Sequence, residues 1–327
     1  MQLKDRIYGK INIDELVVLE LIESPTLKRL KDIDQAGYFF PFFPNTERSR
    51  YEHSLGVYTL LNRYNTSLEE QIAGLIHDVS HSAFSHCIDY ILNTGSQKDH
   101  SHQDNIFDDY VKKSEIPVIL KKHGLDVDYI LNDRNFPLKE NNLPDLCADR
   151  IDYSLRVAVT FKEIDQEKAI KILSKLKVED NKWFFIDYES AREYAELFFK
   201  LNENYHAGIH SALMFNGVGE TMHYALKKGY ITEDDLYQTD KIVLQKVRAH
   251  LEEDERLSLL YDRMNNKVGY KDDKQDYDIH IFCKSRVVDP LCKYKNQILR
   301  VSDIDRSWRE VMKNGLVPKE YFIKYEK

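Results

Sequence analysis

The chain has 327 residues, of which 42% are hydrophobic and 31% charged, with a formal net charge of −8. That size supports a large buried core, as one big domain or one domain with an appendage, and the composition is that of a soluble globular protein. The acidic balance argues against a dedicated nucleic-acid binder, and no apolar run of about 18 residues predicts a membrane span. Met1–Asp5 begins without a signal-peptide apolar segment, so the cytoplasm is the expected compartment. Cys87, Cys147, Cys283 and Cys292 form neither a CxxC pair nor a dense framework and read as reduced thiols.

In chain order, Ile7, Gly9, Ile11 and Ile13 alternate with polar residues and predict a short strand over 7–13. Residues 15–22 and 25–33 predict helices, the second opened by Ser24 as N-cap with Pro25 at its first position. The aromatic run Gly37–Pro44 contains Pro41 and Pro44, which exclude a helix; a strand or hairpin leading into a polar loop at 45–49 is expected. Helical periodicity returns over 53–64 and 68–78, with Leu55, Tyr58, Leu60 and Leu61 on a core face. Further helices are expected over 103–112, 116–123 and 144–157, and a hairpin over 178–186 with Asp180–Asn181 at its turn. Residues 188–228 are helical in pattern, and 233–262 hold two more helices. The polar stretch 265–278 reads as a linker or exposed loop, after which Ile279–Cys283 and the residues to 327 predict a small α/β appendage. The expected fold is mainly α with short β-hairpins, divided into a core over 1–262 and a linker plus appendage over 263–327.

The chemistry concentrates in Gln71–His86, where an apolar helical approach delivers His77 and Asp78 side by side, followed by His81 and His86. Neutral imidazole with carboxylate suits a borderline or hard divalent ion. Adjacent residues on a helix project about 100° apart, so the pair can grip one ion from two sides. His53, in Arg50–Gly56, and Asp149, in Asp145–Tyr153, come from other helices. Together the four would staple three helices and leave positions open for water and a phosphate oxygen, as a catalytic rather than a structural site requires. A lone His is more often a satisfied core or surface residue. The ordered set and the clustering of six of the twelve histidines within 53–102 weigh against that blander interpretation.

The set His53, His77–Asp78, Asp149 resembles the HD-domain phosphohydrolase superfamily, in which the matching side chains hold one metal. Asp5–Ile13, Ser24–Gln35 and Arg50–Val57 sharpen the resemblance to one branch, the deoxynucleoside triphosphate triphosphohydrolases that include the SAM-and-HD-domain enzyme. The similarity runs from about residue 5 to about residue 160 and implies an HD-domain helical core. It implies that His81 contacts the α-phosphate and that His86 and Asp89 form a pair supporting proton transfer. It also implies that His102 is the general acid, with His100 a competing choice. Arg50 matches a phosphate-chain contact, a role that a guanidinium fork suits, and Gln35 matches a sugar-contacting Gln. Arg150 stands where the branch has a phosphate-contacting Lys. Tyr153, one helical turn after Asp149, is positioned to floor a sugar pocket. Pairing of Arg50 with Glu47 at the surface, and Tyr153 as a core residue, are the competing roles.

The chain departs from the branch after the Asp ligand. The branch has a helix rich in Arg and His there, whereas residues 196–210 carry one Lys and no Arg, with Lys200, Tyr205, His206 and His210 as candidate replacements. The Asp that reads the 3′-hydroxyl in the branch is Val157 here. The expected activity is hydrolysis of nucleotides, deoxynucleoside triphosphates foremost, with one divalent ion that the ligand set does not identify among Mn, Fe, Co, Ni, Zn and Mg. The resemblance adds nucleotide effectors and a homo-oligomer, dimer or tetramer, as expectations. Two alternatives compete: a two-metal phosphodiesterase or nucleotidase using His100 or His102, and a nucleotide-sensing module with a non-catalytic site.

Overall fold

The computed structural model describes residues 1–92 and 102–326. Helices dominate, and three small sheets join them. The chain enters through a hairpin of β1 (Gln2–Asp5) and β2 (Gly9–Asn12), with Gly9 at φ 74° where a left-handed backbone is required. Only part of the alternating stretch 7–13 is therefore strand; Arg6–Tyr8 is the turn. Helix α1 (Leu16–Glu23) follows, then α2 (Pro25–Arg29), where the Ser24 hydroxyl accepts the Leu27 N–H.

The aromatic run forms turns, not the expected strand or hairpin. The N–H groups of Phe42 and Phe43 both donate to the Phe39 carbonyl, and the neighbouring β contact is an isolated bridge between Asp34 and Ser49. The two prolines remove ladder donors, while Phe39 and Phe42 gain more by turning into the core than a strand edge would offer.

Helix α3 (Arg50–Arg63) opens with a reciprocal cap between Ser49 and Glu52, and α4 (Leu68–Ile76) with Ser67. Next come α5 (Ile88–Ile91), α6 (His102–Lys113), α7 (Ile116–Lys122), α8 (Val127–Leu131), α9 (Ala148–Thr160) and α10 (Gln166–Lys175). Strands β3 (Leu176–Glu179) and β4 (Lys182–Phe185) close around Asp180 and Asn181, whose φ angles of 48° and 57° are those of a tight hairpin turn. Helix α11 (Tyr188–Leu201) runs into one π-helical turn at Asn202–His206, then α12 (Ile209–Lys228), α13 (Asp240–Arg248) and α14 (Glu255–Met264).

Beyond α14 lie β5 (Tyr270–Asp272), β6 (Ile279–Cys283), β7 (Leu291–Tyr294), β8 (Gln297–Arg300), α15 (Val301–Ile304), α16 (Arg306–Asn314) and β9 (Lys319–Tyr325). The polar stretch 265–278 is thus not all loop: β5 pairs with β9, which also pairs with β6. Strand β7 adds parallel to β4. Val287, Val288 and Trp308 bury against Trp183, Phe185 and Phe198, while Ile281 and Ile323 join the cluster around Met214 and Met222. All four cysteines are free and buried. No helix among the described residues is long and apolar enough to cross a membrane.

Candidate metal centre and its cavity

Helices α3, α4 and α9 pack together, and their facing residues carry the donor set. Helix α4 stops at Ile76, so His77 and Asp78 sit in the turn after it and not on its last helical turn. The His77 ring is fixed there by a 2.7 Å hydrogen bond from Nδ1 to the Gly74 carbonyl, which leaves Nε2 as the free donor. His53 is fixed likewise, with Nδ1 2.8 Å from Asp152 Oδ1. Asp149, in the first turn of α9, puts Oδ1 2.8 Å from His53 Nε2 and 3.5 Å from His77 Nε2. The two Nε2 atoms are 3.3 Å apart, and Asp78 Oδ1 is 3.4 Å from His77 Nε2. Ligands about 2.0–2.2 Å from one ion lie roughly 2.8–3.6 Å from each other, so these separations and this N/O set fit a divalent ion.

Behind the donors stands a buried network that sequence reading missed. Asp152 receives two bonds from Arg156, at 2.9 Å each, and one from the Tyr8 hydroxyl at 2.9 Å. Arg156 also reaches Asp5 at 3.0 Å. Gly56 on α3 admits this network: a Cβ there would stand 2.0 Å from Asp152 Oδ2 and 2.3 Å from Arg156 Nη2. The available signal was the Asp152–Arg156 pair, spaced i to i+4 on a helix.

Electrostatics follow from burial and charge. Burial alone pulls His53 down, but Asp149, Asp152 and Asp78 reverse this and push it up to about 9. Burial likewise opposes ionisation of Asp78, yet Arg50 and the imidazoles hold it below the usual carboxylate range. Arg50 makes a 2.8 Å ion pair with Asp78 Oδ2 and a 2.9 Å bond to Ser85, so it does not pair with Glu47 at the surface. His81 lies 3.3 Å from Asp78 Oδ1, and burial with the nearby Arg50 charge keeps it neutral. Its Nδ1 is buried without a partner.

A cavity of about 570 Å³ opens over these donors. It gathers Gln35, Arg50, His81, His86, Arg150 and Tyr153 with the four candidate ligands, and Tyr205 lines it too. Arg150 donates to the carbonyls of Asn141 and Asp145. Tyr205 donates to Glu163 at 2.6 Å. Lys200 pairs with Glu163 on the exposed side of α11 and is not among the lining residues. His102 is not among them either: its Nε2 lies 2.9 Å from the Tyr237 hydroxyl, and its N–H donates to Asp89. His100 lies outside the described residues. Arg48, Lys139, Lys284 and Arg286 add cationic lining that local motifs gave no reason to choose.

The HD domain model matches residues 50–157. The chain is 35% identical over 312 residues to Uncharacterized protein YdhJ of Bacillus subtilis, covering 95% of this chain and 94% of that one. It is 38% identical over 177 residues to Metal-dependent phosphohydrolase cns2 of Cordyceps militaris, covering 54% of this chain and 50% of that one. To Deoxynucleoside triphosphate triphosphohydrolase SAMHD1 of Mus musculus it is 32% identical over 141 residues, 37% of this chain and 21% of that one. The HD-domain match and the phosphohydrolase relative, with two imidazoles and a carboxylate brought together in one cavity, mark a hydrolase. The chain belongs to the HD-domain phosphohydrolase superfamily.

Proposed function

We propose that the protein hydrolyses nucleotides, deoxynucleoside triphosphates foremost, to deoxynucleoside and triphosphate. One observation carries this reading: the donor atoms of His53, His77 and Asp149 share a cavity with Arg50, Lys139 and Arg150. His53, His77, Asp78 and Asp149 would hold one divalent ion. When bound, such an ion supplies Lewis acidity toward a phosphoryl oxygen and toward water. Arg50 uses two of its donors on Asp78 and Ser85 and keeps others for the phosphate chain. His81, neutral and with Nδ1 unpartnered, is the contact for the phosphate beside the ion. Gln35 and Tyr153 take the sugar. His86, its ring centroid 5.0 Å from that of His81, is better sited than His102 to protonate the leaving oxygen.

The two-metal alternative has one observation in its favour, a second trio, Glu140, Cys147 and Asp149, that shares Asp149 with the first. The Cys147 Sγ already contacts Glu140 and Arg150, so a single ion is favoured. Assembly into a dimer or tetramer with nucleotide effectors belongs to the same proposal, and light scattering with and without nucleotide reads it.

The test offers each dNTP, NTP, NMP and cyclic nucleotide with Mn, Fe, Co, Mg or Zn, and separates triphosphate from single phosphate. Triphosphate release from dNTPs is expected. Cleavage of monophosphates or diesters alone would remove the triphosphohydrolase reading and leave only the superfamily.

A further inference from the structure

A second group of polar side chains lines the same cavity and is left unmatched. Arg48 is 3% exposed, yet among the described residues its Nε and Nη2 are buried without partners, while Nη1 donates to the Thr46 carbonyl at 3.2 Å. Its guanidinium rests 4.7 Å from the Phe39 ring centroid and 5.5 Å from that of Phe161, and it forms no ion pair among the described residues. His206 Nε2 and the Tyr153 hydroxyl are also buried without partners, with their rings 5.5 Å apart. Arg286 completes the group. Its backbone N–H donates to Asn202 Oδ1 at 2.8 Å, Asn202 donates to Ser285 Oγ at 2.9 Å, and Ser285 donates to the Gly315 carbonyl at 2.7 Å. Those bonds pin Arg286 to the π-helical turn that carries His206.

Arg48, His206 and Arg286 all line the cavity, and burial, with the charges of Arg286 and Arg48, pushes His206 down to about 3. A buried guanidinium with two idle donors is costly to keep, because the protein has replaced its water with nothing. Such a group is offset by an oxyanion that accepts both donors at once. A π-helical turn beside it is a frequent accompaniment of a functional site.

We propose that Arg48, His206 and Arg286 form a subsite for a second phosphate group of the substrate, one that is not hydrolysed. The inference rests on the nucleotide reading above. Two sources present that chemistry: the terminal phosphate of a triphosphate chain, or a phosphate on the sugar.

Arg286→Met tests it, since this side chain is only half-buried and its backbone bonds survive the change. With metal-loaded enzyme, KM for a dNTP and for a nucleoside 3′,5′-bisphosphate is compared with KM for the monophosphate. KM for either the dNTP or the bisphosphate is expected to rise about 10-fold relative to the monophosphate, with kcat within about twofold. The arm that moves identifies the source, and Arg286→Lys should recover part of the loss. A parallel rise for all three, or no relative rise in either arm, overturns the subsite. Calorimetric titration with inorganic phosphate needs no turnover and separates this failure from failure of the triphosphohydrolase reading. Two phosphates per wild-type chain and one per Arg286→Met chain support the subsite, even if no dNTP is cleaved; equal stoichiometry overturns it.

Discussion

Two groups of residues line one cavity under opposite conditions. The candidate ligands and the carboxylate behind them are answered in place: His53 by Asp152, His77 by the Gly74 carbonyl, Asp78 by Arg50, and Asp152 by Arg156 and Tyr8. Around Arg48, the donors and acceptors of Arg48, Tyr153, His206 and Gln35 are buried and unanswered. The first group is a frame built to hold its shape before anything binds, and the second is completed from outside. Preorganisation lowers the cost of positioning reacting atoms, whereas idle polar groups sacrifice stability for affinity.

The comparison breaks first at the ligands. Asp149→Ala is expected to strip most bound metal and lower kcat/KM by about 10³-fold or more, because an open site cannot spare a protein ligand. Metal content by mass spectrometry checks this, and an unchanged content would remove Asp149 from the set. Arg156→Met strikes the frame without touching a ligand. It leaves Asp152 and Asp5 buried without their shared counter-ion, so a loss of about 3–5 kcal/mol in urea unfolding is expected. A loss below about 1 kcal/mol would show that the network is not what holds α9 to α3.

Arg50→Ala tests the seam between the groups, since Arg50 both fixes Asp78 and faces the cavity. A fall of about 10- to 100-fold in kcat/KM is expected, the loss of one charge-assisted contact. If metal content falls as far as in Asp149→Ala, then Arg50 serves only to position Asp78.

The smallest effect separates the unanswered group by pH. The folded chain refuses a proton at His206 until about pH 3, while the unfolded chain accepts one near the ordinary value of 6.5. Stability from this residue is therefore present above about pH 6.5 and lost as pH falls toward 3. Between pH 7 and 5 the wild type should lose about 1 kcal/mol more than His206→Asn, discounting for the half-buried ring. Parallel melting curves for the two proteins across that range would contradict the assignment.

Legibility in the sequence followed how local each feature is. Ser24–Pro25 and Asp180–Asn181 act on their own neighbours, so that cap and that turn could be read directly, whereas the Ser49–Glu52 cap, which starts α3 three residues before the expected 53, was not read. His53, His77, Asp78 and Asp149 were legible because residue type and order carry the chemistry, and the fold brings those atoms together. The aromatic run at 37–44 misled because its burial is decided by α12, distant in sequence. His102 lies outside the cavity lining, and register between His86 and α6 has no local marker that would place it. Arg48 and Arg286 were invisible for a different reason: an idle guanidinium and a solvated one look alike until the walls around them are known.

The bonds that pin Arg286 to the turn at Asn202–His206 also set when the site comes into being. During synthesis, each of the four candidate ligands leaves the ribosome well before Arg286 does. A nascent chain that ends short of residue 284 can therefore carry the metal donors while its cavity lacks one wall. That wall arrives with the segment that links β6 to β7, which carries Lys284 and Arg286.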